Sequence, residues 1–203
     1  MKNKKLIYFI LIFFPFIFLF PYTFKILEVG NDFELYYFVY KKYIFEFLIQ
    51  GHLPFWSPTE SSGFSLVLNP LTQFFYLPTW ILYLFAYIFG DLSKYLFLIY
   101  TIAAISIYNV GQYLFLRSLN IATKFAVLAT IITSSGLKIT ELLRFPNALH
   151  SFCWFPWILL SITLINQNKN IYFSYLTIFI SSLMLLTAGY PYYIVYGLIL
   201  FSL

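Results

Sequence analysis

Apolar residues occur along this chain in long runs broken by short polar joints, a pattern that predicts membrane-length helices rather than strands. The first run, 6–24, follows Lys2, Lys4 and Lys5 and ends in Phe20-Pro21-Tyr22-Thr23-Phe24. No small-residue cleavage site follows it, so it reads as a retained first span with a cytoplasmic N-terminus. Residues 32–50 are patterned differently. On a helix, Phe33, Tyr36, Tyr37, Tyr40, Tyr43, Ile44, Phe47 and Leu48 share one face, while Asp32, Glu34, Lys41, Lys42, Glu46 and Gln50 take the other. That predicts an amphipathic helix lying in the membrane interface, too charged to cross. Residues 51–76 carry Pro54, Pro58, Pro70, Gly63 and His52, punctuation that no lipid-facing helix tolerates. They form either a disordered connector or a shaped extramembrane loop, and Phe55, Trp56, Phe64, Leu66, Val67 and Leu68 favour shape.

Beyond this loop the pattern predicts a short embedded helix over 73–89, then spans over 96–116, 125–138, 151–165 and 171–188. A turn at Gly189-Tyr190-Pro191 leads into an apolar run over 192–203, short of the roughly 20 residues that cross a bilayer. It is taken as an incomplete span, and the chain as the N-terminal part of a longer protein. The fold class expected is all-α: a polytopic helical membrane protein with one transmembrane domain and a large first external loop, 25–95, containing interfacial helices.

Composition agrees with that class. Hydrophobic residues are 62% and charged residues 9%, where a soluble domain carries about 25% charge. The net charge of +5 is dispersed and forms no basic stripe, which argues against nucleic acid as a partner. One cysteine, Cys153, excludes an intrachain disulfide and a multi-cysteine zinc site. Phosphate-binding glycine loops, H-E-x-x-H and a Ser-His-Asp order are all absent from the sequence. Charge leaves the topology tied. If 73–89 does not cross, the inside holds Lys2, Lys4, Lys5, Arg117, Lys124 and Lys169; if it crosses, it holds Lys2, Lys4, Lys5, Lys94, Lys138 and Arg144.

Candidate chemistry lies in the acids of the first external region: Glu28, Asp32, Glu34, Glu46 and Glu60. A carboxylate at a membrane surface can act as a general base or hold a divalent metal. Singly, each reads as part of a solvated face; Asp32 stands out because it starts the amphipathic helix beside Gly30 and Asn31. His52 and His150 lack a second ligand at metal spacing and read as hydrogen-bonded interfacial histidines. Glu141 and Arg144, three residues apart, either pair with each other or line a polar pocket.

The order of several short motifs resembles the first external loop of YfhO-like bacterial membrane proteins, relatives of glycosyltransferases of the GT-C fold. They are Asp32, Gly51-His52-Leu53-Pro54-Phe55-Trp56-Ser57-Pro58, Ser62-Gly63-Phe64, Asn69-Pro70 and Phe75-Tyr76-Leu77-Pro78. His150-Ser151-Phe152-Cys153-Trp154-Phe155-Pro156-Trp157 resembles the family's His-then-Trp-Pro helix start, and Leu186-Thr187-Ala188-Gly189-Tyr190-Pro191 its A-G-H-P turn, with Tyr190 where His is usual. The resemblance implies a GT-C-like membrane enzyme of the bacterial cytoplasmic (inner) membrane. Such an enzyme moves a sugar from a polyprenyl-phosphate carrier to a cell-surface polymer or lipid on the outer face. It implies Asp32 as the catalytic carboxylate, serving the acceptor or a metal, and leaves a divalent metal open; Glu34, His52, Trp56, Glu60, Glu141, Arg144 and His150 are the candidate substrate contacts. It also places the turn Arg117-Ser118-Leu119-Asn120 in the cytoplasm, so that 73–89 returns to the outside. The competing expectations are a transporter, flippase or assembly subunit for surface polysaccharide, with Asn109 and Gln112 lining a path, or an inactive fragment.

Overall fold

A computed structural model of the chain describes residues 2–58 and 63–202. Their regular structure is helical, with a single isolated antiparallel bridge, Ser57–Phe64, and no strand among the described residues. The helix α1 (Lys2–Phe18) is followed by a one-turn helix α2 (Phe20–Thr23), the break falling at Leu19 just before Pro21. The run 6–24 is therefore not one continuous helix.

The frame is the helix α5, Lys94–Ser118, 25 residues or about 38 Å long. Ser93 caps it, its hydroxyl accepting from the Leu96 N–H at 3.1 Å. α5 packs against α1, against α4 (Leu77–Phe89), against α6 (Thr123–Ser134), and against α8 (Pro146–Phe152) and α9 (Phe155–Asn166). Its polar residues join helices. Pro15 has no N–H to give to the carbonyl of Leu11, and Asn109 Nδ2 donates to that freed carbonyl at 3.0 Å. Ser106 adds a 2.6 Å bond to the Ile12 carbonyl. Asn109 thus ties α5 to α1, the use that polar side chains commonly find between apolar helices.

Two of the expected spans are bent or broken. After α6, Thr133, Ser134 and Ser135 bond back to carbonyls three or four residues earlier, which competes with the helix ladder. The chain turns by 43° into α7 (Leu137–Glu141) and a 3₁₀ turn, Leu142–Arg144. Between α8 and α9 the break at Cys153–Trp154 precedes Pro156, whose ring crowds the carbonyl of Phe152. α10 (Ile171–Thr187) and α11 (Pro191–Ser202) complete the described chain. Two segments, Lys94–Ser118 and Pro146–Asn166, are long and apolar enough to cross a membrane, or three if the bent pair 123–144 is one span.

Residues 33–50 are helical but not in the expected register. Phe33–Phe38 winds as a π-helix before α3 (Val39–Ile49) begins. The i→i+5 winding turns fewer degrees per residue, so the 3.6-residue face assignment slips. Phe33, Tyr37, Lys41 and Phe45 form the buried stripe, while Tyr36 is exposed. Lys41, assigned by pattern to the polar face, has no exposed surface.

Candidate functional site

The loop 51–76 is shaped wherever it is described. Ser57 and Phe64 exchange backbone hydrogen bonds of 2.8 and 2.9 Å. Gly63, at φ +100°, lies under the Trp56 indole, where a Cβ would come within 2.5 Å of the ring. Asn69 Oδ1 accepts from the Leu71 N–H at 3.0 Å, and the Thr72 hydroxyl donates to the Leu66 carbonyl at 2.9 Å. These local bonds turn the chain at Pro70–Thr72 and deliver Gln73, Tyr76 and Thr79 into the core.

There they meet a buried polar plug. Lys41 Nζ donates to the Thr72 carbonyl at 2.6 Å and to Thr79 Oγ1 at 3.2 Å. Thr79 Oγ1 lies 3.0 Å from the Tyr100 hydroxyl, which donates to Gln73 Oε1 at 3.1 Å. Gln73 Nε2 donates to the Ala188 carbonyl at 2.5 Å, and Asn147 Nδ2 to the carbonyls of Leu71 and Gly189 at 3.0 and 3.4 Å. The Tyr76 hydroxyl accepts from Trp154 Nε1 at 2.9 Å and shares a hydrogen bond with His150 Nδ1 at 3.1 Å. The Tyr100 ring stacks on His150 at 4.0 Å between centroids. The plug thus draws together Asn69-Pro70, Tyr76, His150, Trp154 and Ala188-Gly189, pieces of four of the short motifs. Gly189 is required at the join: its φ is +78°, and a Cβ would stand 2.0 Å from the Pro70 carbonyl oxygen.

No carboxylate pairs with Lys41 among the described residues. Burial alone holds its amine well below the usual lysine range. Sequence pattern missed this residue because a π-turn carries no period of its own, and it missed Gln73 and Asn147 because single amides in turns are common.

Around the plug lies an open rim, and Asp32 is on it. Asp32, Tyr36, Tyr37, Tyr40 and Leu71 line a cleft of about 210 Å³. On the other side of Asn31 a second cleft, of about 280 Å³, is lined by Tyr22, Glu28, Gly30, Asn31, Thr140, Glu141 and Arg144 among others. Asp32 carries no ion pair among the described residues and does not cap its own helix. Tyr37 is pushed up to about 12, chiefly by burial, then by the nearby Tyr190 and by the charge of Asp32. Asp32 thus shares its cleft with one buried phenol, Tyr37.

The other expected contacts divide. Glu141 sits between Lys138 (3.1 Å) and Arg144 (3.3 Å), and both Glu141 and Arg144 face the second cleft. Glu34 forms an ion pair with Lys94, at the edge of a third cleft. His52 is exposed and stands apart from all three clefts, while Trp56 is exposed on the ring face away from Gly63. His150 is 1% exposed and belongs to the plug, with Nδ1 on the Tyr76 hydroxyl and Nε2 without a partner. Glu60 lies outside the described residues. No group of three or more His, Cys, Asp or Glu side chains comes together in metal-binding geometry among the described residues. Gln112 borders an apolar groove with Tyr108, Phe152, Phe155, Tyr193 and Tyr196. Comparison with family models, with curated proteins and with solved structures returns no match to this chain.

Proposed function

We propose that the chain is a membrane-embedded glycosyltransferase that takes a sugar from a polyprenyl-phosphate carrier at the outer membrane face. The observation that carries the reading is Asp32: a carboxylate without an ion pair among the described residues, in a cleft walled by Tyr36, Tyr37 and Tyr40, while its chain neighbour Asn31 lines a second cleft with Glu141 and Arg144. Aromatic walls suit a sugar ring, whose C–H face packs on an aromatic side chain while its hydroxyls seek polar groups. A donor with a lipid tail keeps its phosphate at the interface, the depth at which a rim above membrane-length helices would lie.

In the proposed reaction Asp32 takes the proton of the acceptor hydroxyl as the oxygen attacks the anomeric carbon. The bond from that carbon to the phosphate oxygen breaks, and the electron pair leaves with the polyprenyl phosphate. Arg144, fixed by Glu141, offsets the growing charge on the leaving group. The plug keeps the two clefts in register without itself touching substrate.

The test is incorporation of label from a polyprenyl-phosphate-linked sugar in membranes that contain the protein, against membranes that lack it. Protein-dependent transfer from the lipid donor, and none from the corresponding nucleotide sugar, is expected. Equal incorporation in both membranes overturns the proposal.

A further inference from the structure

The third cleft adjoins the second and is not used by the proposed reaction. It encloses about 160 Å³ between the end of α2 and the start of α5, lined by Tyr22, Lys25, Glu28, Glu34, Lys94 and Tyr95 together with Leu27, Val29, Phe33 and Leu98. Its charges are unevenly engaged. Lys94 and Glu34 neutralise each other across the cleft. Lys25 and Glu28 form no ion pair among the described residues. One cation and one anion without an ion pair among the described residues thus share a small half-apolar cavity, the Glu28 charge acting on Lys94 from beyond contact.

Lys25 is also held in an unusual way. It follows α2 in the left-handed conformation, φ +59°, a position that glycine normally fills. Its ammonium rests over the Tyr95 ring, 4.5 Å from the centroid, and the Tyr95 hydroxyl is fixed by donating to the Thr23 carbonyl at 3.0 Å. An aromatic ring orients this cation without neutralising it. Beside the cleft, Phe24, Ile26, Leu27 and Leu35 are more than half exposed, so the cavity opens beside an apolar surface. The site lies where α2 ends and a membrane-length helix starts.

We propose that this cleft binds the headgroup of a zwitterionic aminophospholipid of the phosphoethanolamine type. Its phosphodiester meets Lys25, its primary ammonium meets Glu28, and its acyl chains cover Phe24, Ile26, Leu27 and Leu35. The unpaired charges match both ends of that headgroup. A purely anionic headgroup would leave its charge beside Glu28. A quaternary ammonium carries no N–H to donate to the Glu28 carboxylate.

The inference does not depend on glycosyl transfer, and its test reads lipid retention alone. The chain is purified from nanodiscs holding equal amounts of phosphatidylethanolamine, phosphatidylcholine and phosphatidylglycerol, and the retained lipid is identified by native mass spectrometry. Phosphatidylethanolamine is expected to be enriched about fivefold, the upper range of one exposed ion pair, here its ammonium on Glu28, which the other two headgroups do not make. Lys25→Gln and Glu28→Gln, both at exposed positions, should each remove the enrichment. Lys169→Gln, in the joint between α9 and α10, should leave it intact as a charge-matched control. Equal retention of the three lipids, or enrichment unchanged in both variants, overturns the proposal. Enrichment of phosphatidylglycerol insensitive to Glu28→Gln overturns it in favour of a simple anion site. Displacement of the lipid by an equal concentration of soluble glycerophosphoethanolamine overturns the lipid as the source.

Discussion

Lys41 and Asp32 lie nine residues apart on one continuous helical stretch, yet they stand in opposite surroundings. Lys41 is fully enclosed, donates to a carbonyl and a hydroxyl, and belongs to a network in which most polar atoms have partners. Asp32 is half-buried in an open cleft, without an ion pair among the described residues. A buried network in which most members have partners, Asn147 Oδ1 and His150 Nε2 excepted, specifies one packing and resists alteration, because removing a member strands another in a medium of low dielectric. An unsaturated rim costs little folding free energy and keeps its hydrogen-bonding capacity for a ligand. The contrast fits the proposed division, in which the plug supports the fold and Asp32 acts on substrate. It also implies that substitutions in the two regions fail differently: loss of folded protein in one, loss of activity with the fold intact in the other.

The largest effect is expected at the join. Gly189→Ala places a Cβ on the Pro70 carbonyl and demands a left-handed alanine, which should cost on the order of 3 kcal/mol or more. Yield of monodisperse protein in detergent and its thermal midpoint check this. A midpoint within a degree of the parent would mean that the two turns are not in contact.

Asp32→Asn is next, with the opposite signature. Loss of a general base should lower transfer by about 10²–10⁴-fold, while the thermal midpoint stays put because the side chain holds no partner that folding needs.

Lys41 gives the contrast a pH dependence. Burial depresses its folded value, so the folded protein binds fewer protons than the unfolded chain between that value and 10.5. Stability contributed by the neutral amine is therefore fully present above 10.5 and declines as pH falls toward the depressed value. Lys41→Met should flatten the rise of thermal midpoint with pH in the alkaline range. The same slope in parent and variant would contradict burial of the amine.

The smallest effect is expected at His52, exposed and outside the clefts. His52→Ala should change stability by no more than about 0.5 kcal/mol and leave transfer unaltered.

Much of the helical plan was written in the pattern of apolar runs, since length and hydropathy alone define the helices over 94–118, 146–166 and 171–187. The shape of the loop was signalled by Gly63, Asn69 and Pro70, each of which performs a local backbone task the side chain dictates. The face of residues 33–50 was not legible, because a period of 3.6 was assumed across a π-turn. That one slip exchanged Lys41 with Tyr36 and hid the centre of the plug. The burial of His150 was not legible either: a lone histidine before a tryptophan has the same sequence whether it faces a cleft or a core. The rim around Asp32 was partly visible from the run Gly30-Asn31-Asp32. Its far wall, Thr140, Glu141 and Arg144, comes from a helix break more than a hundred residues away, and only the folded chain brings it near.

Asp32 is proposed to act on substrate while the buried plug only supports the fold. The most direct measurement is transfer of labelled sugar from a polyprenyl-phosphate donor by parent and Asp32→Asn protein, each normalised to folded protein in the same membranes. Transfer reduced at least a hundredfold by the substitution, at equal folded protein, is the predicted result. Transfer equal to that of the parent would contradict it.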